Sequence, residues 1–316
     1  MAAAVEASEH GIRDITIIEK RNVLGGTSAI AGGLFACESP VQARLGIVSS
    51  RDLLLKKALE WAHWSNLDPS VLRAFINKSG ETIKWLEGKG LEFDLITFYP
   101  GQNPPVQHNP KGFGAALIRL FENECSKKGV RILRNSTVKK IIRRENGIIQ
   151  GIELISDNKS REFSCGGVII ATGGFAGNKE LMRRYFPGLK EGMVLSGLPL
   201  EGDGISLASR AGASIAGMAT LVKEGPRVHA HQWPLLAIER SGVTLWVNKR
   251  GERFTDEAAG YHIFESVNAV MKQPEMVCYM LMDSSIRRYF EEHGNKLRRA
   301  NDKGSLSEIR EEMEKG

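Results

Sequence analysis

Apolar residues recur along the chain at two spacings, and the spacing assigns the elements. Residues 2–10, AAAVEASEH, read as the end of a helix that Gly11 stops. In DITIIE (14–19), the β-branched Ile15, Ile17 and Ile18 make a strand. Residues 51–64 place Leu54, Leu55, Ala58, Leu59 and Trp61 on one helical side. Asp68 followed by Pro69 signals the start of a second helix, in which Leu72, Phe75, Ile76, Ile83 and Leu86 keep helical spacing until GKG ends it. Ala116, Leu117, Leu120 and Phe121 predict another amphipathic helix over 115–128. Strands VRIL, TVKKIIRR and IIQGIELI follow, with Asn146-Gly147 as the hairpin turn. The apolar run in GGVIIATGG (166–174) predicts a buried strand that ends in a glycine turn. Later come a strand at 243–248, a turn at Lys249-Arg250-Gly251, and helices near 261–272 and 284–293. The order predicts an α/β protein: a doubly wound nucleotide-binding domain over residues 1–224, then a smaller α+β domain over 225–316.

Composition narrows the partners. A chain of 316 residues, 42% hydrophobic and 25% charged, has length for two domains. No apolar run approaches the ~18 residues of a membrane span. The net charge of +6 is scattered over elements such as VKKIIRR and NKLRRANDK, with no basic face and no reader motif, so nucleic acid is not an expected partner. Cys37, Cys125, Cys165 and Cys278 stand apart without metal-ligand spacing, so no metal is expected. Their isolation reads as reduced thiols and a cytoplasmic protein. The first residues carry neither a basic leader nor a long apolar core and do not read as a secretory signal.

Three stretches carry candidate chemistry. In TIIEKRNVLGGTSAIAGG, Glu19 ends a strand where doubly wound folds keep an acid for the ribose hydroxyls of a dinucleotide. Glu19 also reads simply as an exposed acid at a strand end. Gly25 and Gly26 let a ligand approach the backbone, and Thr27 and Ser28 offer hydroxyls and amides to phosphate. Ala29, Ala31, Gly32 and Gly33 leave room for a flat ring system. In VIIATGGFAGN, the turn Ala171-Thr172-Gly173-Gly174 falls at the carboxyl end of the expected strand, where α/β folds bind ligands. In LEGDGISLASRAGA, Asp203 precedes a helix as either its N-cap or a partner for a ligand hydroxyl.

Together these stretches resemble the flavoprotein family of fumarate reductase and succinate dehydrogenase, which includes soluble fumarate reductases and ketosteroid dehydrogenases. LWVNKRGERFTDE (245–257) resembles the family's capping-domain signature, and the likeness runs over essentially the whole chain. It implies an FAD-dependent oxidoreductase that moves a hydride between flavin N5 and a carbon beside a carbonyl or carboxylate. By position, it implies that Glu19 binds the adenosine ribose with Lys20 beside it. Gly25, Gly26, Thr27, Ser28, Gly32 and Gly33 would line pyrophosphate and flavin. Val138 would meet the adenine through its backbone, Ala171 and Thr172 to Gly174 would contact the cofactor, and Asp203 would lie by the ribityl chain. No histidine lies between His10 and His63, so the resemblance implies a non-covalent flavin.

Departures from the family pattern shape further expectations. The family opens with a strand and a GxGxxG turn, and this chain has neither. Met1 to Ala4 correspond to the helix after that turn, roughly a dozen residues in, which implies an FAD domain without its first strand and a capping domain without its last segment. An alternative reading is therefore a truncated, non-catalytic fragment that no longer binds FAD. GFGAAL (112–117) follows HNPK rather than a strand and reads as a loop entering a helix. The proton-donating arginine of fumarate reductases is Tyr261 here, and the upstream carboxylate-binding pair becomes Ala237 and Arg240. Arg240 is the candidate grip on a carboxylate or carbonyl oxygen. Tyr261 is either a proton donor or a residue packed under the cap, and His229 and His231 are either site or surface residues. Fumarate is thus not the favoured substrate. Arg250, Arg253, Asp256 and Glu257 read as a structural ion network. With no CxxCH and no cluster-binding cysteine set, a separate electron donor is implied. An ordinary NAD dehydrogenase is a third reading, which the capping signature opposes.

Overall fold

The computed structural model describes residues 1–65, 67–97, 103–186, 200–218, 244–261, 263–285 and 288. The chain divides into two compact units: Met1–Leu95 with Val106–Thr220, and Ile96–Pro105 with Leu221–Gly316.

The first unit is an α/β assembly. Helix α1 (Ala2–Glu9) ends before Gly11, whose φ of +89° only glycine adopts without strain. Strand β1 (Thr16–Ile18) follows it, and β2 (Leu34–Phe35) comes after the glycine loop. Three helices come next: α2 (Pro40–Arg44), α3 (Arg51–Trp61) and α4 (Pro69–Glu87). Asp68 caps α4 as expected, its Oδ1 accepting the amides of Ser70 and Val71 at 2.8 and 3.4 Å. Ile76, Ile83 and Leu86 are buried on its inner face, whereas Phe75 falls off that face and meets the Phe35 ring. Strands β3 (Phe93–Ile96) and β4 (Gln107–Pro110) join β2 in a sheet of order β2-β4-β3. Helix α5 (Phe113–Lys127) then packs Phe121 and Cys125 into the core that holds Val5 and Leu86.

Strand β5 (Arg131–Leu133) pairs in parallel with β1, Thr16 opposite Arg131. The antiparallel hairpin of β6 (Ser136–Arg143) and β7 (Ile149–Ser156) turns where Asn146-Gly147 predicts, and β8 (Lys159–Ser164) extends it. A register shift between Val138 and Lys140 leaves Lys139 and Lys140 both exposed, so a bulge interrupts the inward–outward alternation of the strand. Helices α6 (Lys179–Tyr185) and α7 (Asp203–Arg210) complete the unit, with Leu207 of α7 packed on Ile141, Ile152 and Leu154.

One expectation fails. Residues 166–174 form no strand and are exposed, with Val168, Ile169 and Ile170 at 37, 73 and 41%. A strand is made by its partners, and among the described residues no other strand pairs with this segment. The parallel sheet described is accordingly β1 and β5 alone.

In the second unit, β9 (Leu245–Val247) and β10 (Tyr279–Leu281) pair antiparallel, and α8 covers Ile263–Met271. The turn after β9 is organised by Asn248, whose Oδ1 accepts from the amides of Arg250 and Glu252 at 2.8 and 3.1 Å. Trp246 is fully buried and donates through Nε1 to Thr244 Oγ1. Glu257 accepts from the Trp246 amide and from Arg253 Nε and Nη2, at 3.0, 3.1 and 2.6 Å. The expected four-residue ion network thus reduces, among the described residues, to the Arg253–Glu257 pair.

Arg253, aided by the Trp246 amide, pulls the Glu257 carboxyl from 4.5 down to about 2. Its stabilising contribution is therefore full above about pH 4.5 and lost as pH falls towards 2. Glu257→Gln is expected to lower hydrogen-exchange protection of the Trp246 amide at neutral pH by roughly tenfold. Across the acid window the wild-type protection factor should decline and that of the variant should stay flat.

Candidate functional site

The glycine loop after β1 folds into a 3-10 turn, Gly26–Ile30. Gly25, at φ +104°, starts it, and a side chain there would lie 2.7 Å from Ile118 Cγ1 on α5. Gly26 faces open space, and Thr27 and Ser28 are exposed. The helix start GFGAAL is the support for this loop. Gly112 precedes α5 at φ +85°, and the Gly114 amide donates to Ala31 O at 3.0 Å. A Cβ on Gly114 would stand 1.9 Å from Ser28 O, so only glycine lets the helix and the loop backbone approach this closely. Sequence reading missed Gly114. Its signal was a second glycine inside a helical start, which costs about 1 kcal/mol against alanine unless packing demands it.

Gly33 has a related but different role from the expected one. A side chain there would fall 2.3 Å from Asn109 Oδ1, so that space belongs to the protein. Asn109 is 1% exposed; its Oδ1 accepts from Gln107 Nε2 at 2.9 Å, and its Nδ2 has no acceptor among the described residues. This is a buried donor beside the small-residue loop, and sequence reading missed it too. The neighbouring His108 is fully buried and is not a catalytic base. Its Nδ1 donates to Val106 O, which leaves Nε2 to accept the Ser39 hydroxyl at 2.7 Å, and burial pushes its pKa down.

A second group of predicted residues meets at the start of α7. Lys20 Nζ lies 2.5 Å from Asp203 Oδ2 across 183 residues of sequence. Thr172 Oγ1 accepts the Gly204 amide at 3.0 Å. Asp203 is therefore not the N-cap: Gly202 occupies that position at φ +74°, and Thr172 satisfies the helix amide from a remote segment. A Cβ on Gly204 would be 2.3 Å from both Ile170 Cγ2 and Thr172 Oγ1. Gly174 O accepts the Gly202 amide at 3.0 Å, and the far side of Gly174 is open. Gly173 makes the turn at φ +79°.

Glu19 is tied into the same corner through its backbone. Its amide donates to Leu133 O and its carbonyl accepts the Ser136 amide, two residues before Val138 on β6. The Glu19 carboxylate accepts the Arg21 amide at 2.9 Å and makes no ion pair among the described residues. Val138 sits opposite Leu154 and packs on the core around Leu207. Glu19, Lys20, Thr172 and Asp203 are thus brought together, with Val138 close by. Gly25 to Ser28, Ala31 and Gly33 gather separately around Gly114 and Asn109.

This set fits an adenine dinucleotide. A carboxylate without an ion-pair partner suits a ribose diol, exposed hydroxyls and an open glycine suit phosphate, and Asn109 offers an unused buried donor. The second unit holds the other candidates. Tyr261 ends the 3-10 turn Glu257–Tyr261, and its side chain lies outside the described set; Arg240, His229 and His231 lie outside the described residues. Among the described residues, no cluster of ligating side chains holds a metal and no helix is long and apolar enough to cross a membrane.

Residues 1–312 match the family described as FAD binding domain. The vinyl phenol reductase of Lactiplantibacillus plantarum is 29% identical over 307 residues, covering 93% of this chain and 61% of that protein. The NADH:fumarate oxidoreductase of Klebsiella pneumoniae is 28% identical over 293 residues, covering 91% and 31%. Among solved structures, the open conformation of a flavocytochrome c3 fumarate reductase superposes with a TM-score of 0.74 at 23% identity, covering 92% of this chain and 52% of that one. The chain spans less than two thirds of the length of these relatives. The likeness to fumarate reductase-like flavoproteins read from the motifs is borne out.

Two glycines separate packing from conformation. Gly114→Ala is expected to cost about 2–3 kcal/mol and to shift amide signals across residues 28–31. Gly26→Ala, at φ +50° but facing open space, should cost only about 1 kcal/mol and leave those signals in place. Chemical denaturation with amide spectra checks both.

Proposed function

The chain belongs to the FAD binding domain family, and from that membership we propose that it is an FAD-dependent oxidoreductase acting on an activated C=C or CH–CH bond of a small carboxylate or carbonyl compound. The observation that carries this reading is the meeting of Lys20 with Asp203 and of Thr172 with Gly204, which gathers widely separated motifs at one corner. When bound, FAD supplies the hydride acceptor and donor at its N5.

The chain's own residues have these roles. Glu19 accepts hydrogen bonds from the adenosine ribose, and the backbone near Val138 meets the adenine. Gly25, Gly26, Thr27 and Ser28 hold phosphate oxygens through amides and hydroxyls, with Gly32 and Gly33 behind them. Ala171, Thr172, Gly173 and Gly174 line the cofactor, and Asp203, steadied by Lys20, takes a ribityl hydroxyl. No histidine in the loop offers a covalent link, so binding is non-covalent. Arg240 grips a substrate carboxylate or carbonyl oxygen, with His229 and His231 nearby in sequence. Tyr261 gives the proton that balances the hydride. A phenol near pKa ~10 needs help from its surroundings for that role. A separate electron donor restores the reduced cofactor, and the protein works in the cytoplasm.

A second reading has a specific observation behind it. Val168 to Ile170 are exposed immediately before Thr172, so among the described residues the cofactor corner is built on a segment with no strand beside it. On that reading the chain by itself does not retain FAD.

Purification under native conditions separates the two, since retained flavin absorbance favours the first and a colourless chain the second. In a flavin-retaining protein, Glu19→Gln and Asp203→Asn should each weaken FAD binding by roughly tenfold, read as fluorescence quenching on titration. Tyr261→Phe should lower turnover by about 100-fold with FAD affinity unchanged. Unchanged turnover would remove Tyr261 from the chemistry.

A further inference from the structure

A cavity of about 180 Å³ lies at the opposite end of β1 from Lys20 and Asp203. The strand registers explain it. Thr16 stands opposite Arg131 in the parallel pair, and Leu133 shares that face two residues on. In the antiparallel sheet, Leu154 stands opposite Arg161, with Ser156 and Phe163 on the same side. These two faces are packed on each other where Ile18 and Leu133 meet Leu154 and Phe163. Towards the start of β1 the packing gives out, and the space left has apolar walls of Leu133, Leu154 and Phe163. Its polar lining is the hydroxyl-bearing Thr16 and Ser156 with the two arginines.

The charges of this cavity are not balanced. Arg131 pairs with Asp14 at 2.6 Å, both side chains being largely exposed. Arg161 is exposed, and no carboxylate pairs with it among the described residues. The exposed Arg161 guanidinium stays hydrated at the rim, where it is free to meet an anion whose apolar part enters the space. The volume is below that of a drug-sized pocket, but a dry cavity of about 150 Å³ already takes a benzene ring.

We propose that this cavity is a second binding site, distinct from the cofactor corner, for a small carboxylate with a flat apolar body of about the size of benzoate. The ring lies between the two sheets against Leu133, Leu154 and Phe163. The carboxylate is held at the rim by Arg161, whose fork suits two parallel hydrogen bonds, with Thr16 and Ser156 as further donors. The proposal does not rest on FAD binding.

Titration calorimetry and methyl-resolved NMR on the 316-residue chain test it with sodium benzoate and benzyl alcohol as probes. Benzoate should bind in the millimolar range or tighter and move the methyl signals of Leu133 and Leu154. Benzyl alcohol should bind at least about tenfold more weakly. Arg161→Gln should reduce benzoate affinity by roughly tenfold without changing that of benzyl alcohol, and Arg161→Lys, which keeps the charge but not the fork, should fall between. Equal affinity for the two probes, undiminished benzoate binding in R161Q, or still methyl signals at Leu133 and Leu154 would overturn the proposal. An absence of flavin in the same sample leaves the outcome untouched.

Discussion

The first turn of α7 is where the constraints on this protein concentrate. A helix start leaves amides without partners, and here the Gly204 amide takes its acceptor from Thr172 while Asp203 takes its counter-charge from Lys20. The carboxylate of Asp203 also sits favourably at the positive end of the helix dipole. Both side chains of the ion pair are partly exposed, at 33 and 40%, so its net energy is small. Its importance is positional: the tip of β1 and the start of α7 are held to one geometry. Gly204 lets the contact form, because Ile170 and Thr172 occupy the space where any side chain would begin.

Periodicity made most elements of the first unit legible. Helices α4 and α5 declared themselves through spacing and, for α4, through Asp68 and Pro69; the β6–β7 hairpin declared itself through Asn146-Gly147. The segment at 166–174 misled because an apolar run records what a residue prefers, whereas a strand depends on a neighbour to bond with. The bulge at Lys139 was invisible for a similar reason, since register belongs to the pair of strands and not to one of them. In the site, the motif residues could be named from the chain. Their partners could not. Lys20 and Asp203 were each named from the chain, and only folding reveals that they pair with one another. Gly114 and Asn109 were hidden because close approach and an unused donor are properties of three dimensions.

The family relationship and the geometry bear on different parts of the molecule. Similarity at 25–29% identity extends through nearly the whole chain, and the fold of the first unit agrees with it. Cofactor contacts in such a site come largely from backbone amides and small side chains, which tolerate wide sequence change provided the turns survive. Substrate chemistry depends instead on a few large polar side chains.

Thr172 stands more than thirty positions before the helix it caps. Eight residues are too few to hold a helix in water without outside help. Helix α7 draws that help from the core beneath Leu207 and, at its first turn, from the distant Thr172. The corner is thus a non-local arrangement, in which a helix start and a remote turn complete each other's hydrogen bonding.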